Sequence, residues 1–101
     1  MSTHMIRYTV APDQVAHNEE LLRTLFAELA ELRPDGLRYE AFKLADGVSF
    51  IHLVSHDKPG HGPVPHLHAL KAFHTGLHER CDQRPARTEL TGFGTYHPLD
   101  A

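Results

Sequence analysis

The chain has 101 residues, 41% of them hydrophobic and 23% charged, a composition typical of one globular domain. Its net charge of −3, with Lys and Arg scattered along the chain, excludes a basic surface for nucleic acid or an anionic membrane. The single cysteine excludes an internal disulfide. Because there is also no membrane-length apolar run and no signal-peptide pattern, we expect one cytoplasmic domain over residues 1–101, with no nucleic-acid or membrane partner.

Hydrophobic periods along the chain predict six elements of regular structure. Alternating apolar residues indicate strands, and apolar residues spaced by three and four indicate helices. Pro12 and Asp13 open the first helix, and Asp46-Gly47 is a strong hairpin signal. In chain order the predicted elements are strand Met5–Val10, helix Val15–Leu32, strand Leu37–Leu44, strand Val48–Ser55, helix His66–Arg80 and strand Arg87–Tyr96.

One long irregular segment separates the third strand from the second helix. Residues His56–Pro65 contain three prolines and two glycines, which predicts a loop. Loops of this length often carry function, and this one could form a lid over a pocket.

The order of these elements predicts an α+β ferredoxin-like βαββαβ sandwich, in which a four-stranded antiparallel sheet carries both helices on one face. The third strand is apolar on both faces, so the face without helices also needs a cover. A sheet of this kind exceeds the apolar area that soluble monomers usually expose. We therefore expect a homodimer whose two sheets face each other. Depending on register, the open face would display members of the set Phe42, Leu44, Phe50, Val54 and Phe93.

Over nearly its whole length the chain resembles the dimeric α+β barrel proteins, and among them the antibiotic biosynthesis monooxygenase-like families. The resemblance rests on the element order and on the segments MIRYTV, PDQVAHNEELLRTLFAEL, DGVSFIHLVSHD and TELTGFGTY. It implies a sheet-to-sheet dimer with a small pocket in each subunit between sheet and helices. Some members oxidise polycyclic phenols with dioxygen and neither metal nor flavin. Others degrade haem, isomerise lactones or have no known activity.

The chain departs from this family pattern in two respects that bear on activity. It has no tryptophan, whereas the haem-degrading members use a set of Asn, Trp and His, so haem degradation is not expected. Val54 stands where many monooxygenase-like members carry an acidic residue.

His52 is the candidate general base. It shares a strand face with Phe50 and Val54, so its imidazole is expected to be buried or to line a pocket, where it could take a proton from a phenol. Tyr8 and Tyr39 are the candidates for orienting the substrate oxygen. The alternative is a core histidine satisfied by a backbone carbonyl or a tyrosine hydroxyl. The side chains expected to line the ligand pocket are Phe50, Val54, Phe73 and Tyr96.

The remaining histidines do not predict a metal site. His74 and His78 are spaced for one helix face but lack a third ligand and the glutamate of an HExxH motif. The histidines around the Pro/Gly loop are expected to face water or to cap the second helix; they are His56, His61, His66 and His68.

The resemblance, with His52 and the tyrosines as candidate site residues, implies oxidation of a small aromatic or polyketide-like compound without a cofactor. Two alternatives use the same fold. One is a non-catalytic ligand-binding or stress-associated dimer, and the other is an interaction domain whose own side chains fill the cavity.

Overall fold

The computed structural model describes residues 2–56 and 68–96. Four strands form one sheet in the order β2-β3-β1-β4, and every neighbouring pair is antiparallel. A short 3-10 turn over Pro12–Gln14 leads into the first helix. The elements are β1 Ser2–Val10, α1 Val15–Leu32, β2 Leu37–Lys43, β3 Ser49–His56, α2 His68–His74, α3 Leu77–Arg80 and β4 Cys81–Leu90. The predicted ferredoxin-like sandwich is confirmed.

Side-chain alternation fixes which face of the sheet meets the helices. Tyr8 and Val10 of β1 and Phe50 of β3 pack with Leu25 of α1 and Phe73 of α2 in one buried core. These five residues are at most 2% exposed, so they define the helix-facing side. The opposite side of the sheet carries Met5, Ile51, Leu53, Phe42 and Leu90, of which Phe42 is 50% exposed.

This register corrects the predicted membership of the open face. Phe50 and Val54 are 2% and 3% exposed and lie on the helix side, whereas Ile51 and Leu53 take the open side. The third strand is apolar on both faces, so its sequence alone cannot assign a side; the pairing with β1 does.

The Asp46-Gly47 hairpin joins β2 and β3 as predicted. Asp46 Oδ1 accepts the backbone N–H groups of Val48 and Ser49 at 3.0 and 2.8 Å, and the Ser49 hydroxyl donates to Oδ2 at 2.6 Å. Gly47 has φ +79°, a conformation that side chains disfavour. The Ser49 hydroxyl first, and then the two backbone donors, hold the pKa of Asp46 below its ordinary value.

The second helix is not continuous from His66 to Arg80. α2 ends at His74, Gly76 adopts the left-handed φ of +78°, and α3 begins at Leu77. A glycine in this conformation ends a helix because it carries no Cβ penalty. His74 and His78 therefore do not lie on the face of one helix.

The last strand runs over Cys81–Leu90 and not over Arg87–Tyr96. Pro85 lies inside it, next to a register irregularity between the pairs Arg7–Ala86 and Thr9–Gln83. Proline lacks a backbone N–H. It is tolerated there because β4 is an edge strand and because no backbone N–H has to pair with the neighbouring strand at the irregularity. Phe93 and Tyr96 follow the strand and are 104% and 86% exposed.

Candidate functional site

His52 lies at the centre of a buried hydrogen-bond chain between the sheet and the helices. Its Nε2 is 2.8 Å from the Tyr8 hydroxyl, and its Nδ1 is 2.9 Å from the Tyr39 hydroxyl. The residue is 1% exposed. Both ring nitrogens are thus occupied by protein groups, as in the alternative interpretation of a core histidine satisfied by tyrosine. A ligand cannot reach the imidazole without displacing one of these tyrosines.

Two further residues extend this chain, and sequence reasoning missed both. Asn18 Nδ2 donates to the Tyr8 hydroxyl at 3.0 Å, and Arg80 Nε donates to Asn18 Oδ1 at 3.3 Å. They are 0% and 5% exposed. Each occupies a helix position where the 3–4 spacing calls for an apolar residue, Asn18 between Val15 and Leu22. A polar residue within an apolar stripe is the signal that could have found them.

The Arg80 guanidinium is anchored at the end of α2. Its Nη2 donates to the Phe73 carbonyl at 2.6 Å and its Nη1 to the Thr75 carbonyl at 3.1 Å. Its Cζ lies 5.1 Å from the centre of the Phe73 ring. The last carbonyls of a helix carry partial negative charge, so they suit a cation. Arg80 is therefore a fixed positive group at the start of the hydrogen-bond chain.

The donors in this hydrogen-bond chain all point in one direction, away from Arg80 and toward Tyr39. A guanidinium only donates, so Asn18 accepts from Arg80 through its oxygen and donates through its amide to Tyr8. The Tyr8 hydrogen then has one acceptor in the described part of the chain, His52 Nε2. A buried hydroxyl without an acceptor costs about 1–3 kcal/mol, which disfavours the reverse tautomer. His52 therefore carries its proton on Nδ1 and donates to Tyr39.

Burial keeps the central groups of the chain neutral near pH 7. Desolvation, and secondarily the charge of His74, lower the pKa of His52 to about 4. Burial raises the pKa of Tyr39 to about 12 and raises that of Tyr8 as well. At neutral pH the Tyr39 hydroxyl is thus a donor at the end of the hydrogen-bond chain that begins at the Arg80 guanidinium.

We expect His52 to make the fold sensitive to acid. Its pKa is about 4 in the folded protein and 6.5 in the unfolded chain, so only the unfolded chain binds the proton between these values. The contribution of His52 to the free energy of unfolding is therefore fully present above about pH 6.5 and is lost as the pH falls through about 4. Between pH 7 and about pH 4.5 the free energy of unfolding should fall by about 2 kcal/mol more in the wild type than in His52→Gln, measured by urea denaturation. The other histidines are the same in both proteins, so their contributions cancel in this comparison.

A second measurement does not need this variant to fold. The ¹⁵N shifts of the His52 ring should report a neutral Nδ1–H tautomer that does not titrate above about pH 5. Titration near 6.5, or the Nε2–H tautomer, would contradict both the burial effect and the direction of the chain.

A cavity of about 250 Å³ lies beside the hydrogen-bond chain of His52, between the sheet and α2. We refer to it as the His4 cavity. Tyr39 belongs to its wall, so it links the buried chain to open space. The lining residues are His4, Ile6, Tyr39, Val54, His56, Leu70, His74 and Arg87.

The residues predicted to form the site are only partly brought together. Val54 lines the His4 cavity as predicted, and the Phe73 ring lies 5.3 Å from the His52 ring. Phe50 stacks on Tyr8 with the ring centres 5.5 Å apart, and contributes to a separate groove beside α1. Tyr96 is 86% exposed and is not among the described residues that line the His4 cavity.

In the described residues no three His, Cys, Asp or Glu side chains are grouped to hold a metal ion. His61 and His66, two of the histidines around the predicted loop, lie outside these residues, as does most of the loop itself. Among the same residues no helix combines the length and the apolar character needed to cross a membrane.

Comparison with solved structures shows which fold this is. A protein from Nitrosomonas europaea, provisionally described as an antibiotic biosynthesis monooxygenase, matches with a TM-score of 0.76 at 12% identity, covering 93% of this chain and 100% of that one. A variant of SnoaB, a cofactor-independent oxygenase from Streptomyces nogalater, matches with a TM-score of 0.61 at 20% identity over 93% and 94% of the two chains. An uncharacterised NIPSNAP domain protein from Burkholderia xenovorans matches with a TM-score of 0.58 at 15% identity over 96% and 99%.

The chain therefore has the ferredoxin-like fold of the antibiotic biosynthesis monooxygenase-like proteins, as the sequence pattern predicts. No family model matches it, and neither does any curated protein sequence. Identities this low show a shared fold, and a fold alone does not transfer an activity.

Proposed function

We propose that this protein binds a small phenolic or enolisable compound in the His4 cavity and removes a proton from it, and that the resulting anion reacts with dioxygen without metal or flavin. The observation that carries the proposal is the directed hydrogen-bond chain. It begins at the buried cation Arg80 and ends at the hydroxyl of Tyr39, a residue that lines the His4 cavity.

Tyr39 is the group that would hold the substrate oxygen. Since Nδ1 of His52 donates to it, and no other group of the described residues bonds to it, its own hydrogen can be donated to a ligand. Successive donors polarise one another, and a prearranged donor aimed at developing negative charge is an effective catalytic device. His52 thus acts through Tyr39 as a positioning residue, and not as the base predicted from the sequence.

His74 is the proposed proton acceptor. It lines the His4 cavity and is accessible to solvent. Burial of part of the ring, and secondarily the charge of Arg80, lower the pKa of His74, so the imidazole is neutral and able to accept a proton at pH 7.

The reaction balances without a cofactor. Loss of a proton to His74 leaves a substrate anion, which reduces dioxygen and forms a C–O bond to give a hydroperoxide. Loss of water from the hydroperoxide, with removal of the second hydrogen on that carbon, leaves a carbonyl group. In sum, a CH₂ group and O₂ become a C=O group and H₂O. The apolar wall formed by Ile6, Val54 and Leu70 would exclude water from the anion.

Oxygen uptake with an anthrone or a dihydroxynaphthalene tests this function. We expect consumption of one O₂ per quinone formed, at a rate well above autoxidation. Binding of the same compounds, seen as a change in their absorbance, without oxygen uptake would instead support the alternative of a non-catalytic ligand-binding protein.

We also propose that two copies pair through the open sheet faces. Ile51 and Leu53 of β3 share this face with Met5, and Phe42 is half exposed beside them. Burying such a patch in a two-fold dimer is the simplest way to remove it from water.

Light scattering tests this assembly. We expect the mass of two chains for the wild type and of one chain for Leu53→Asp, because the pairing would bury the new charge. Ala27→Asp, a matched substitution on an exposed position of α1, should remain dimeric. A wild-type mass of one chain would refute the pairing.

A further inference from the structure

Two histidines in the wall of the His4 cavity each have a buried ring nitrogen that has no hydrogen-bond partner among the described residues. In the described part of the chain, Nδ1 of His4 and Nδ1 of His56 are inaccessible to water and make no hydrogen bond. His4 is 7% exposed. Buried polar atoms are normally satisfied, and each orphan costs about 1–3 kcal/mol. A ligand that offered these nitrogens a hydrogen bond would remove that cost.

The sheet register brings a third donor to the same end of the cavity. His4 of β1 is paired with Val54 on one side and with Glu89 on the other. His56 lies two residues beyond Val54, and the two imidazoles stack with centroids 6.2 Å apart and planes at 22°. Arg87 lies two residues before Glu89 on β4 and also lines the cavity.

The charges here favour an anion. Among the residues that the structure describes, Arg87 is the one permanently charged residue in the wall, and no carboxylate lines the cavity. Glu89 contacts Arg87 at 3.2 Å, but the two side chains are 65% and 63% exposed. Exposed pairs of this kind contribute less than ~1 kcal/mol, so Arg87 can turn to a ligand at little cost.

We propose that this end of the His4 cavity binds the carboxylate of a small hydroxylated aromatic acid, with Arg87, His4 and His56 as its partners. The apolar residues Ile6, Val54 and Leu70 contact the ring, and the ring hydroxyl lies at Tyr39. This inference rests on the proposed function, since it names the class of substrate for the same cavity.

Binding of such an acid should be coupled to proton uptake. Burial first, and then the charges of Arg87 and His56, lower the pKa of His4, while Glu89 raises it. The other titratable groups of the cavity, His74 and Tyr39, add no negative charge at pH 7. A bound carboxylate supplies that charge, so it raises the pKa of His4 in the complex.

Calorimetry with a matched pair of probes tests the proposal. We expect 2-naphthoate to bind at least tenfold more tightly than 2-naphthamide near pH 7, with proton uptake seen as a difference in heat between HEPES and Tris buffers. Arg87→Gln, at an exposed site where folding is not at risk, should remove most of this preference and leave 2-naphthamide unaffected. Arg84→Gln, a matched change at an exposed position of the same strand, should preserve it. His4→Gln should abolish the proton uptake.

Equal affinities for the two probes, or a preference that survives in Arg87→Gln, would overturn the carboxylate site. These outcomes are separate from those that test oxygenation. Selective naphthoate binding without oxygen uptake from any hydroxynaphthoate would support this site and refute turnover. Equal rates of oxygen uptake from a naphthalenediol and its carboxylated analogue would refute this site and support turnover.

Discussion

Replacing Arg80 with Met is expected to lower the free energy of unfolding by about 3 kcal/mol. The side chain is 5% exposed and donates to the Phe73 carbonyl, the Thr75 carbonyl and Asn18 Oδ1. Methionine fills a similar volume over the Phe73 ring but donates to none of these oxygens. Two buried acceptors and one partly buried acceptor would lose their partner, and the break between α2 and α3 would lose its tie to α1.

Urea denaturation at fixed protein concentration measures this loss. Arg87→Met is the matched control, because Arg87 is 63% exposed and its pair with Glu89 contributes less than ~1 kcal/mol. Arg80→Lys keeps the charge but not the planar fork, so its stability should fall between those of the wild type and Arg80→Met. Similar losses for Arg80→Met and Arg87→Met would show that the buried network adds nothing to stability.

Removing the Tyr39 hydroxyl is expected to have the largest effect on activity. In Tyr39→Phe the oxygen-uptake rate constant kcat should fall by about 10²–10³, the usual loss for one donor to a developing anion. KM should change little, because this donor matters most once the anion forms. The ring itself stays packed edge-on against Phe26, with centroids 5.7 Å apart, so the fold should persist.

A spectroscopic measurement separates this role from a general loss of structure. In the wild type the pKa of a bound phenol should lie below its solution value, and in Tyr39→Phe it should rise by about one to two units, since a hydrogen bond to a charged group contributes about 1.5–3 kcal/mol. Tyr96→Phe, which removes the hydroxyl of an exposed tyrosine, is the control and should change neither value. If the pKa of the bound phenol and kcat were both unchanged in Tyr39→Phe, the proposed role of the Tyr39 hydroxyl as a donor to the substrate anion would be contradicted.

The candidate site could be predicted only in part because its contacts join residues far apart in the chain. The alternation around His52 predicts an imidazole that is buried or lines a pocket, and the structure shows it buried. It says nothing of the 44 residues that separate it from Tyr8, or of the 62 that separate Asn18 from Arg80. Local patterns decide which face a side chain takes, whereas its partner depends on strand register and helix packing.

The histidines of the cavity illustrate the same limit. Continuing the β1 alternation two residues before Ile6 would have placed His4 on the buried face, since β1 begins at Ser2. His56 would still have been counted with the loop. Only the pairing of β1 with both β3 and β4 brings His4, His56 and Arg87 to one end of the sheet.

By itself, the sequence determined the order of the elements, the first helix from Val15 to Leu32 and the hairpin at Asp46-Gly47, because these depend on local periods and turn chemistry. The tertiary structure decided which face of β3 is buried, where the last strand lies and what His52 touches. A strand that is apolar on both sides has no preferred face until it pairs, and a buried imidazole has no assigned role until both of its nitrogens have partners. The packing encloses His52, which the sequence favoured, between two tyrosines, and for that reason we propose Tyr39 as the residue that contacts the substrate.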